Sequence, residues 1–301
     1  MQLCRSISEF QNTARNAAFA AGFFDGVHLG HQRVIASALA TGHEAWALTF
    51  AQHPSKLLAP QNPRKLLTPL ETRLELLAAT GLTGCLLLDF SRQLASMPPR
   101  EFIAGLGNVV RSFHCGENWR FGFRGEGTPT MLREMGFYVE VVPAALWRGE
   151  PVSSTRIREA VQSGALEDAA QMLGRPHSVR GTVARGRAVG RAMGVPTLNV
   201  VASADVPPPH GVYAARVRFK NEIAWRDAVA NFGFRPTFAD RPDEAVLEAH
   251  LFEAPECETY GLDVEVAFVA RLREERAFES PAALAEQIKI DRERAVKIFT
   301  P

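Results

Sequence analysis

The stretch AAFAAGFFDGVHLGHQ, residues 17–32, decides how the first half of this chain folds. Its opening run of small and aromatic apolar residues predicts a strand over Ala17 to Phe23. Helical spacing after the glycine-containing turn predicts a helix from His28 to Leu39. A strand that turns directly into a helix presents bare backbone N–H groups and the positive end of a helix dipole, so this junction is suited to binding phosphates.

Strands and helices continue to alternate outward from this stretch, up to about residue 145. Such alternation is typical of a parallel sheet covered by helices on both faces, so the predicted fold class of the first half is α/β. Ligands of these sheets bind beyond the carboxyl ends of the strands. The further predicted strands are Glu44 to Phe50, Thr83 to Asp89, Ser112 to Gly116 and Phe137 to Val142, and the further predicted helices are Pro69 to Thr80, Pro99 to Leu106 and Thr130 to Met135.

The pattern changes after about residue 177, where short β-rich segments recur between Gly and Pro residues. This predicts a small antiparallel barrel or sandwich, closed by a helix over Pro281 to Phe299 with Ser280 as its N-cap. Helical spacing also predicts a bridging helix over Ser153 to Leu173, so we expect domains at residues 1–165 and 166–301. The predicted strands are Ser178 to Val183, Val195 to Val201, Gly211 to Phe219, Trp225 to Gly233, Ala245 to Phe252 and Leu262 to Arg271.

Composition limits how this chain binds anions. Over 301 residues, 34 Lys and Arg balance 33 Asp and Glu, which leaves a formal net charge of +1. A near-neutral surface does not collect nucleic acid or anionic membrane, so any anionic ligand has to be held locally. No apolar run approaches the ~20 residues of a membrane helix and no signal peptide is evident, so we expect a cytoplasmic protein. The scattered cysteines form neither a zinc motif nor a disulfide framework.

Two histidines define the first candidate site. His28 and His31 are three residues apart at the predicted helix start, and Gly22, Gly26 and Gly30 allow a ligand to approach the backbone. Two imidazole donors there are suited to the phosphates of a nucleoside triphosphate during nucleotidyl transfer. The alternative interpretation is a pair of surface or capping histidines. As a metal site the pair lacks an obvious third ligand.

A second segment, VSSTRIR at residues 152–158, offers hydroxyls and guanidiniums at a predicted helix start. Ser and Thr cap free N–H groups there, and an Arg one turn later can bind a phosphate through two hydrogen bonds. The same residues also fit an ordinary N-cap followed by a solvated helix face. The segment therefore supports a nucleotide site only together with the histidine motif.

With these motifs, LTFAQHP at 48–54, LLT at 66–68 and CGENWRFG at 115–122, the first half resembles the adenylyltransferase module of the prokaryotic bifunctional riboflavin kinase/FMN adenylyltransferase (FAD synthetase) family. The resemblance implies an α/β nucleotidyltransferase domain with His28 and His31 as catalytic residues. It implies flavin binding by His53, Asn118, Trp119 and Phe121. It also implies that the ATP phosphates are held by Gly22, Phe24, Asp25, Gly26, Gly30, Ser154, Thr155 and Arg158.

The second candidate site begins in GTVARGRAVGRAMGVPTLN, residues 181–199. Glycines in a basic loop, followed by a hydroxyl and an amide on a strand, suit a phosphate cover and oxygen ligands for Mg²⁺. Taken alone, the loop also fits a solvated turn. Its phosphate-binding candidates are Gly181, Gly186, Gly190 and Gly194.

With NFGFRPTF at 231–238, LEAHL at 247–251 and LREE at 272–275, this half resembles the riboflavin kinase module of the same family. The resemblance implies that Glu248 is the catalytic base and that Thr197 and Asn199 hold Mg²⁺ and the ATP phosphates. It further implies a phosphate contact from Asn231 and flavin contacts from Arg273 and Glu275. By its position alone, a strand glutamate such as Glu248 is equally well a solvated outward residue.

We therefore expect an enzyme that uses Mg²⁺ and ATP to convert riboflavin to FMN and then FMN to FAD. Phe23, Gln52, Trp119 and Thr128 depart from the family pattern in the first module, so the kinase is the stronger prediction. The alternatives are a kinase with weak or lost adenylyltransferase activity, a nucleotidyl transfer to another phosphorylated acceptor, and a non-catalytic flavin-binding regulator. The sequence predicts no oligomeric state.

Overall fold

The computed structural model describes residues 1–185, 197–220, 222–234, 245–253 and 258–300. The chain folds as two compact units, Met1–Ser154 and Thr155–Pro301. The domain boundary at residues 165/166 stays a prediction. Among the helices of the described ranges, none has the length and apolar character that crossing a membrane requires.

The first unit is built on a six-stranded parallel sheet. Its strand order is β1-β4-β3-β2-β5-β6. The strands are β1 (Gln2–Cys4), β2 (Ala17–Ala21), β3 (Glu44–Phe50), β4 (Gly84–Leu88), β5 (Val110–Gly116) and β6 (Tyr138–Val142). The helices are α1 (Ile7–Thr13), α2 (Leu29–Leu39), α3 (Ser55–Leu58), α4 (Leu70–Ala78), α5 (Arg92–Ser96), α6 (Pro99–Gly105) and α7 (Pro129–Glu134), and a short hairpin of β7 (Leu146–Trp147) and β8 (Glu150–Pro151) follows.

Strand β2 shows why this sheet is covered on both faces. All five of its residues are buried, and alternate side chains enter two different cores. Phe19 packs in one core with Trp46, whereas Ala18 and Ala20 face the core that contains Ile35 of α2. The predicted α/β class is therefore confirmed, and β2 ends at Ala21, two residues earlier than predicted.

The strand order brings two of the predicted motifs to one edge. From β2 the chain moves to β3 on one side, and it later returns to β5 on the other side of β2. Such a reversal leaves a crevice at the carboxyl ends of the two central strands, where α/β proteins bind ligands. The turn after β2 carries the histidine motif, and the turn after β5 carries the Asn118 motif.

The second unit is a closed six-stranded antiparallel barrel, which decides between the predicted barrel and sandwich. The strands follow one another around it in the order β10-β13-β12-β11-β14-β9. They are β9 (His177–Ala184), β10 (Thr197–Ser203), β11 (Gly211–Phe219), β12 (Arg226–Phe234), β13 (Ala245–Leu251) and β14 (Asp263–Arg273). Helices α8 (Ser154–Ser163) and α9 (Leu166–Leu173) precede the barrel, and α10 (Pro281–Phe299) follows it.

The single helix predicted over Ser153 to Leu173 is wrong. Helix α8 ends before Gly164, whose φ of +82° is a left-handed conformation that favours glycine, and α9 starts two residues later. The closing helix matches its predicted bounds, and the Ser280 hydroxyl accepts a hydrogen bond from the Ala283 N–H at 3.2 Å. The predicted N-cap is therefore confirmed.

Alternation along the barrel strands separates an apolar interior from a polar exterior. Leu198 and Val200 of β10, with Leu247 and Ala249 of β13, belong to the interior core. Because successive strand residues point to opposite faces, the residues between them lie on the outer face. These outer residues include Thr197, Asn199, Glu248 and His250. Helix α10 covers a neighbouring part of the same outer face, where Ala295 packs with Val212, Ala214 and Val229.

The cysteines are structural. Cys4, Cys85 and Cys115 are buried free thiols, and Cys257 lies outside the described residues. Burial raises the pKa of Cys85 to about 12 and that of Cys115 to about 11. Because the thiolate is the reactive form, these two thiols are unreactive at neutral pH.

Two glycine-to-alanine substitutions in the first unit should change its stability in opposite directions. A methyl group at Gly84 would lie 2.4 Å from the buried Trp46 ring, so Gly84→Ala should lower the free energy of unfolding by about 1–3 kcal/mol. A methyl group at Gly105, in α6, would meet only Cδ1 of Ile7, at 3.8 Å. Gly105→Ala should therefore raise the free energy of unfolding by about 0.5–1 kcal/mol. Urea denaturation followed by circular dichroism measures both. Equal effects of the two substitutions would contradict the close packing at Trp46.

Candidate active sites

The turn after β2 holds three residues with positive φ on either side of Asp25. Phe24 has φ +61°, Gly26 +81° and Val27 +40°, and the chain then enters α2 at His28. Strained backbone of this kind is typical of functional sites that the surrounding structure holds in place. The fully buried Phe24 ring anchors the turn in the core, so any phosphate contact from this residue comes from its backbone.

His28 and His31 lie side by side at the start of α2. The His28 Nδ1 accepts a hydrogen bond from the His31 N–H at 3.3 Å, which makes His28 the N-cap of the helix. The two imidazole rings stack with centroids 3.6 Å apart and an interplanar angle of 17°. Gly30 makes room for this pair, because a methyl group there would lie 3.1 Å from the His28 ring. The two interpretations of the histidines are therefore compatible: His28 caps α2, and it also forms an imidazole pair with His31.

The Asp25 carboxylate fixes the shape of this turn. It is buried and accepts hydrogen bonds from the Leu67 N–H at 2.9 Å and the Thr68 N–H at 3.2 Å. The Thr68 hydroxyl in turn accepts a hydrogen bond from the Gly26 N–H, and the Ser154 hydroxyl donates to the Asp25 carbonyl at 3.0 Å. The LLT motif and the first residue of α8 are thus attached to the histidine turn.

Arg73 of α4 is a site residue that the sequence analysis missed. Its side chain is fully buried, and its guanidinium donates hydrogen bonds to the carbonyls of Phe23, Phe50 and Ala51 at 3.1, 2.6 and 3.0 Å. It also lies 4.2 Å from the centre of the Phe23 ring. Phe23 and Ala51 follow β2 and β3, Phe50 is the last residue of β3, and the Phe23 carbonyl also accepts a hydrogen bond from the Thr49 hydroxyl at 3.0 Å. Arg73 therefore holds the two strand ends beside the histidine turn.

Burial sets the protonation state of His31. Desolvation lowers its pKa well below the ordinary value, and the neighbouring His28 and the Arg73 charge lower it further. His31 is therefore neutral at pH 7. Its Nδ1 atom is buried and has no hydrogen-bond partner among the described residues. An orphaned polar atom at a helix start, with no charge of its own, is a group suited to a hydrogen bond with a ligand.

The residues predicted to bind flavin in this unit lie after β3 and β5. The His53 Nδ1 accepts a hydrogen bond from the Ser55 N–H at 3.0 Å, and its ring meets the Phe23 ring edge-on at 4.7 Å. The Asn118 side chain is exposed. Trp119 stacks on Phe121 with centroids 4.9 Å apart, and Phe121 belongs to the core. Trp119 is therefore the aromatic ring at the edge of the core, whereas Phe121 supports it.

Three of the four departures from the family pattern have a structural role. Phe23 lies between Arg73 and His53, and Trp119 extends the aromatic stack. The Thr128 hydroxyl caps α7 by accepting a hydrogen bond from the Met131 N–H at 3.2 Å. Nothing in the structure explains Gln52, which is exposed. Thr155 and Arg158 belong to the second unit, and their part in a phosphate site stays a prediction.

On the barrel, strand register places Glu248 between two amides. Asn199 of β10 lies opposite Glu248 of β13, and Asn231 of β12 lies opposite Glu248 on its other side. Thr197 and His250 form the next pair along β10 and β13. The Glu248 side chain is half-buried on the outer face. Register thus gathers Asn199, Asn231 and Glu248, which are up to 49 positions apart in the sequence, into one polar row.

Asn231 connects this row to the end of β14. Its Nδ2 donates a hydrogen bond to Glu275 Oε1 at 3.0 Å, and its buried Oδ1 has no partner among the described residues. Gly233 allows the Glu275 carboxylate to lie against β12, because a methyl group at Gly233 would overlap that carboxylate. Glu275 therefore lies next to the polar row of Asn199, Glu248 and Asn231.

Arg273, the other predicted flavin residue, is held by α10. Its Nε donates to Asp291 Oδ2 at 2.9 Å, and Asp291 is buried. Gln287 donates to the same carboxylate at 2.8 Å and accepts a hydrogen bond from Arg276. This network attaches α10 to the segment after β14. Any flavin contact from Arg273 stays a prediction.

His250 is the second residue that the sequence analysis missed. Its Nδ1 and the Thr197 hydroxyl oxygen lie 2.8 Å apart, in hydrogen-bond contact. Burial lowers the pKa of His250 to about 4. The sequence signal was present, because His250 alternates with Glu248 on the same strand face.

The glycine-rich loop lies largely outside the described residues, including Gly186, Gly190 and Gly194. Packing alone requires a glycine at position 181 of β9, because a methyl group there would lie 2.4 Å from the Val201 carbonyl oxygen. Its part in phosphate binding stays a prediction.

The donor set on the barrel fits a hard cation. Among the described residues no group of three or more His, Cys, Asp or Glu side chains is placed to hold a metal. Thr197 and Asn199 instead offer a hydroxyl and an amide oxygen beside the Glu248 carboxylate, and Mg²⁺ prefers such oxygen ligands together with phosphates and water.

A parallel sheet with a helix-capping histidine pair, followed by a barrel with a polar outer row, fits a two-domain transferase that handles phosphate groups. Family models agree with both halves. FAD synthetase matches residues 10–156 and riboflavin kinase matches residues 173–299. The chain belongs to the bifunctional riboflavin kinase/FMN adenylyltransferase family. It is an enzyme with both catalytic domains of that family, and enzymes of the two families use ATP.

Full-length relatives carry the family name. The bifunctional riboflavin kinase/FMN adenylyltransferase of Bacillus subtilis (strain 168) is 33% identical over 94% of this chain and 93% of its own length. The protein of the same name from Escherichia coli (strain K12) is 31% identical over 99% and 98%. A crystal structure described as a macrolide-efflux protein from Streptococcus pneumoniae is 28% identical, covers 98% of both chains and has a TM-score of 0.85. The efflux description concerns that protein, whereas both family models concern flavin enzymes.

The second unit should lose stability in mild acid because of His177. This buried residue contacts the Val206 carbonyl at 3.0 Å through Nε2, and burial lowers its pKa to about 4. The unfolded chain protonates His177 below about pH 6.5, whereas the folded unit resists protonation until about pH 4. The unfolded state thus binds more protons in this window. We expect His177 to lower the free energy of unfolding by about 2 kcal/mol between pH 7 and pH 5.

Denaturant unfolding at pH 7 and pH 5 measures this loss, with His177→Gln as the comparison. Gln retains an N–H for the Val206 carbonyl and does not titrate. The variant should therefore lose less stability on acidification than the wild type. An equal loss in both proteins would contradict the prediction.

Proposed function

We propose that the second unit transfers the γ-phosphoryl group of ATP to riboflavin, and that the first unit transfers the adenylyl group of ATP to the FMN so formed. The products are FMN and ADP, then FAD and pyrophosphate. The observation that carries this proposal is the row in which Glu248 lies between Asn199 and Asn231. The half-buried Glu248 carboxylate thus lies beside two amides on the outer barrel face, where a substrate can reach it. Location in the cytoplasm stays a prediction.

In the first unit, His28 and His31 are proposed to hold the phosphates of ATP while charge grows on the departing pyrophosphate. The free Nδ1 of His31 and the helix start supply preorganised hydrogen-bonding groups at that point. Asp25 and Arg73 act through the backbone by fixing the turn and the strand ends. FMN is proposed to lie beyond β3 and β5, with Trp119 on the flavin ring and His53 and Asn118 at its polar groups.

In the second unit, Glu248 is proposed to accept the proton of the primary hydroxyl of riboflavin as the phosphoryl group arrives. Asn199 and Asn231 lie opposite Glu248 on the two neighbouring strands and are proposed to contact the phosphates. Thr197 and Asn199 would hold Mg²⁺, which supplies charge neutralisation on the phosphate oxygens when bound. Arg273 and Glu275, after β14, are proposed as flavin contacts.

The rival acceptors are less well supported. A nucleotidyltransferase for another phosphorylated acceptor has no use for a riboflavin kinase domain, and this chain carries one. A purely regulatory flavin binder needs no proton acceptor, and Glu248 is retained in a row of polar side chains.

Removing the proposed base should separate the two activities. Glu248→Gln keeps the size of the side chain and one acceptor oxygen but cannot take up the proton. We expect riboflavin phosphorylation to fall by about 10²–10⁴-fold, with FAD formation from supplied FMN unchanged. Chromatographic separation of riboflavin, FMN and FAD after incubation with Mg²⁺ and ATP measures both steps.

The matched control is Glu286→Gln, which removes an exposed carboxylate of α10 that pairs only with Lys289 at 3.3 Å among the described side chains. It should retain both activities. If Glu248→Gln still phosphorylated riboflavin at the wild-type rate, Glu248 would not be the base.

Changes in the histidine pair should have the opposite pattern. His28→Asn keeps an N-cap of α2 and removes the imidazole, and His31→Gln removes the second ring. Each should lower FAD formation from FMN by about 10²–10³-fold and leave riboflavin phosphorylation unchanged. His43→Gln, at an exposed histidine of the same unit, serves as the control. A parallel loss of both activities in these variants would contradict two separate sites.

A further inference from the structure

His250 and Thr197 form a pair that the proposed chemistry does not yet use. They are directly opposite each other on β13 and β10, on the outer barrel face, next to the pair of Glu248 and Asn199. The Thr197 hydroxyl oxygen and His250 Nδ1 are 2.8 Å apart. The contact is therefore built into the same two strands that present the proposed base and cation ligands.

Strand β13 holds the imidazole firmly in place. It is hydrogen-bonded on both sides, to β10 and β12, and His250 is opposite Val229 on the β12 side. Val229 belongs to the apolar cluster under α10. His250 is thus fixed by backbone register and partly buried, whereas a threonine hydroxyl by itself rotates freely to suit its partners.

The direction of the hydroxyl proton matters for a cation ligand. A threonine hydroxyl has one proton and two lone pairs. If its proton points to an imidazole nitrogen, both lone pairs remain available on the other side of the oxygen. If the proton instead points toward the cation, the hydroxyl is a poor ligand for it.

We propose that His250 is a positioning residue for riboflavin phosphorylation: its Nδ1 accepts the Thr197 hydroxyl proton and so directs the lone pairs of that oxygen toward the divalent cation of the nucleotide complex. This inference rests on the proposed role of Thr197 in cation binding. A purely structural hydrogen bond would make a different prediction, since its loss would lower stability and leave cation affinity unchanged.

The test measures Mn²⁺ binding to the full chain in the presence of ADP by electron paramagnetic resonance. Thr197→Val identifies the class of bound Mn²⁺ that belongs to the barrel, because it removes the proposed ligand. His250→Leu should weaken that same class by about 10-fold to 100-fold, the usual effect of removing a group that orients a metal ligand. His250→Asn, whose amide oxygen can accept the hydroxyl proton, should recover most of the affinity.

The double variant decides whether the two residues act as one unit. If His250 acts only through Thr197, then Thr197→Val with His250→Leu should bind Mn²⁺ no more weakly than Thr197→Val alone. His177→Gln alters a buried histidine of the same barrel and should leave Mn²⁺ binding unchanged. FAD formation from supplied FMN, together with circular dichroism, verifies that each variant is folded.

Three results would overturn the inference. If Thr197→Val removes no class of bound Mn²⁺, the proposed cation site and the role of His250 both fail. If Thr197→Val removes one class but His250→Leu leaves it intact, only the role of His250 fails. Fully additive losses in the double variant would likewise show that His250 does not act through Thr197.

Discussion

The carbonyl groups at the carboxyl ends of β2 and β3 need hydrogen-bond donors, and the buried guanidinium of Arg73 supplies them. Buried carbonyls left without donors cost about 1–3 kcal/mol each. In the turn after β2, the Phe23 carbonyl accepts hydrogen bonds from both Arg73 and the Thr49 hydroxyl, so these two side chains together hold the start of the turn. Burial lowers the pKa of Arg73, and the Asp25 charge counteracts part of that effect. The buried Asp25 carboxylate ties the histidine turn to the N–H groups of Leu67 and Thr68, and the buried Arg73 guanidinium ties the Phe23 carbonyl of that turn to the end of β3.

The barrel orients its polar site residues by strand pairing rather than by buried charges. Its interior is filled by apolar side chains, so the polar chemistry has to lie on the outer face. Antiparallel register then places Asn199, Glu248 and Asn231 in a row without any loop. Strand-borne side chains are held by the sheet itself, which suits a site that needs a fixed base and fixed cation ligands. Helix α10 covers the neighbouring part of this face and leaves the row at its edge.

The parts of the fold that follow local patterns could be predicted from the sequence. The buried strand β2 and helix α2 follow from hydrophobic periodicity, and the closing helix follows from Ser280 and the periodic pattern after it. The break between α8 and α9 at Gly164 could not be predicted, because a glycine can lie within a helix as well as at its end. Strand β1 is only three residues long, too short for alternation to be recognised.

The candidate site residues also differ in whether the local sequence reveals them. The spacing of His28 and His31 at a helix start already indicated a phosphate site, whereas the role of Glu248 came from the resemblance of its segment to the family. Arg73 is different, because on the sequence it is one charged residue of an amphipathic helix and such residues usually face solvent. Only the assembled sheet shows that α4 places it under two strand ends. The contact between His250 and Thr197 likewise arises from pairing between strands that are 53 residues apart.

The stacked imidazoles place a limit on how the first unit can handle a triphosphate. Two protonated rings 3.6 Å apart would repel each other by about 4–5 kcal/mol at an effective dielectric constant of about 20. At most one of the two rings is therefore cationic, in agreement with the lowered pKa of His31. In the proposed phosphate site, the histidine pair would therefore act mainly through oriented hydrogen bonds and the helix start rather than through net positive charge. Such a site fits a chain with a net charge of +1, because fixed dipoles, unlike a basic surface, act only on a ligand already in the site.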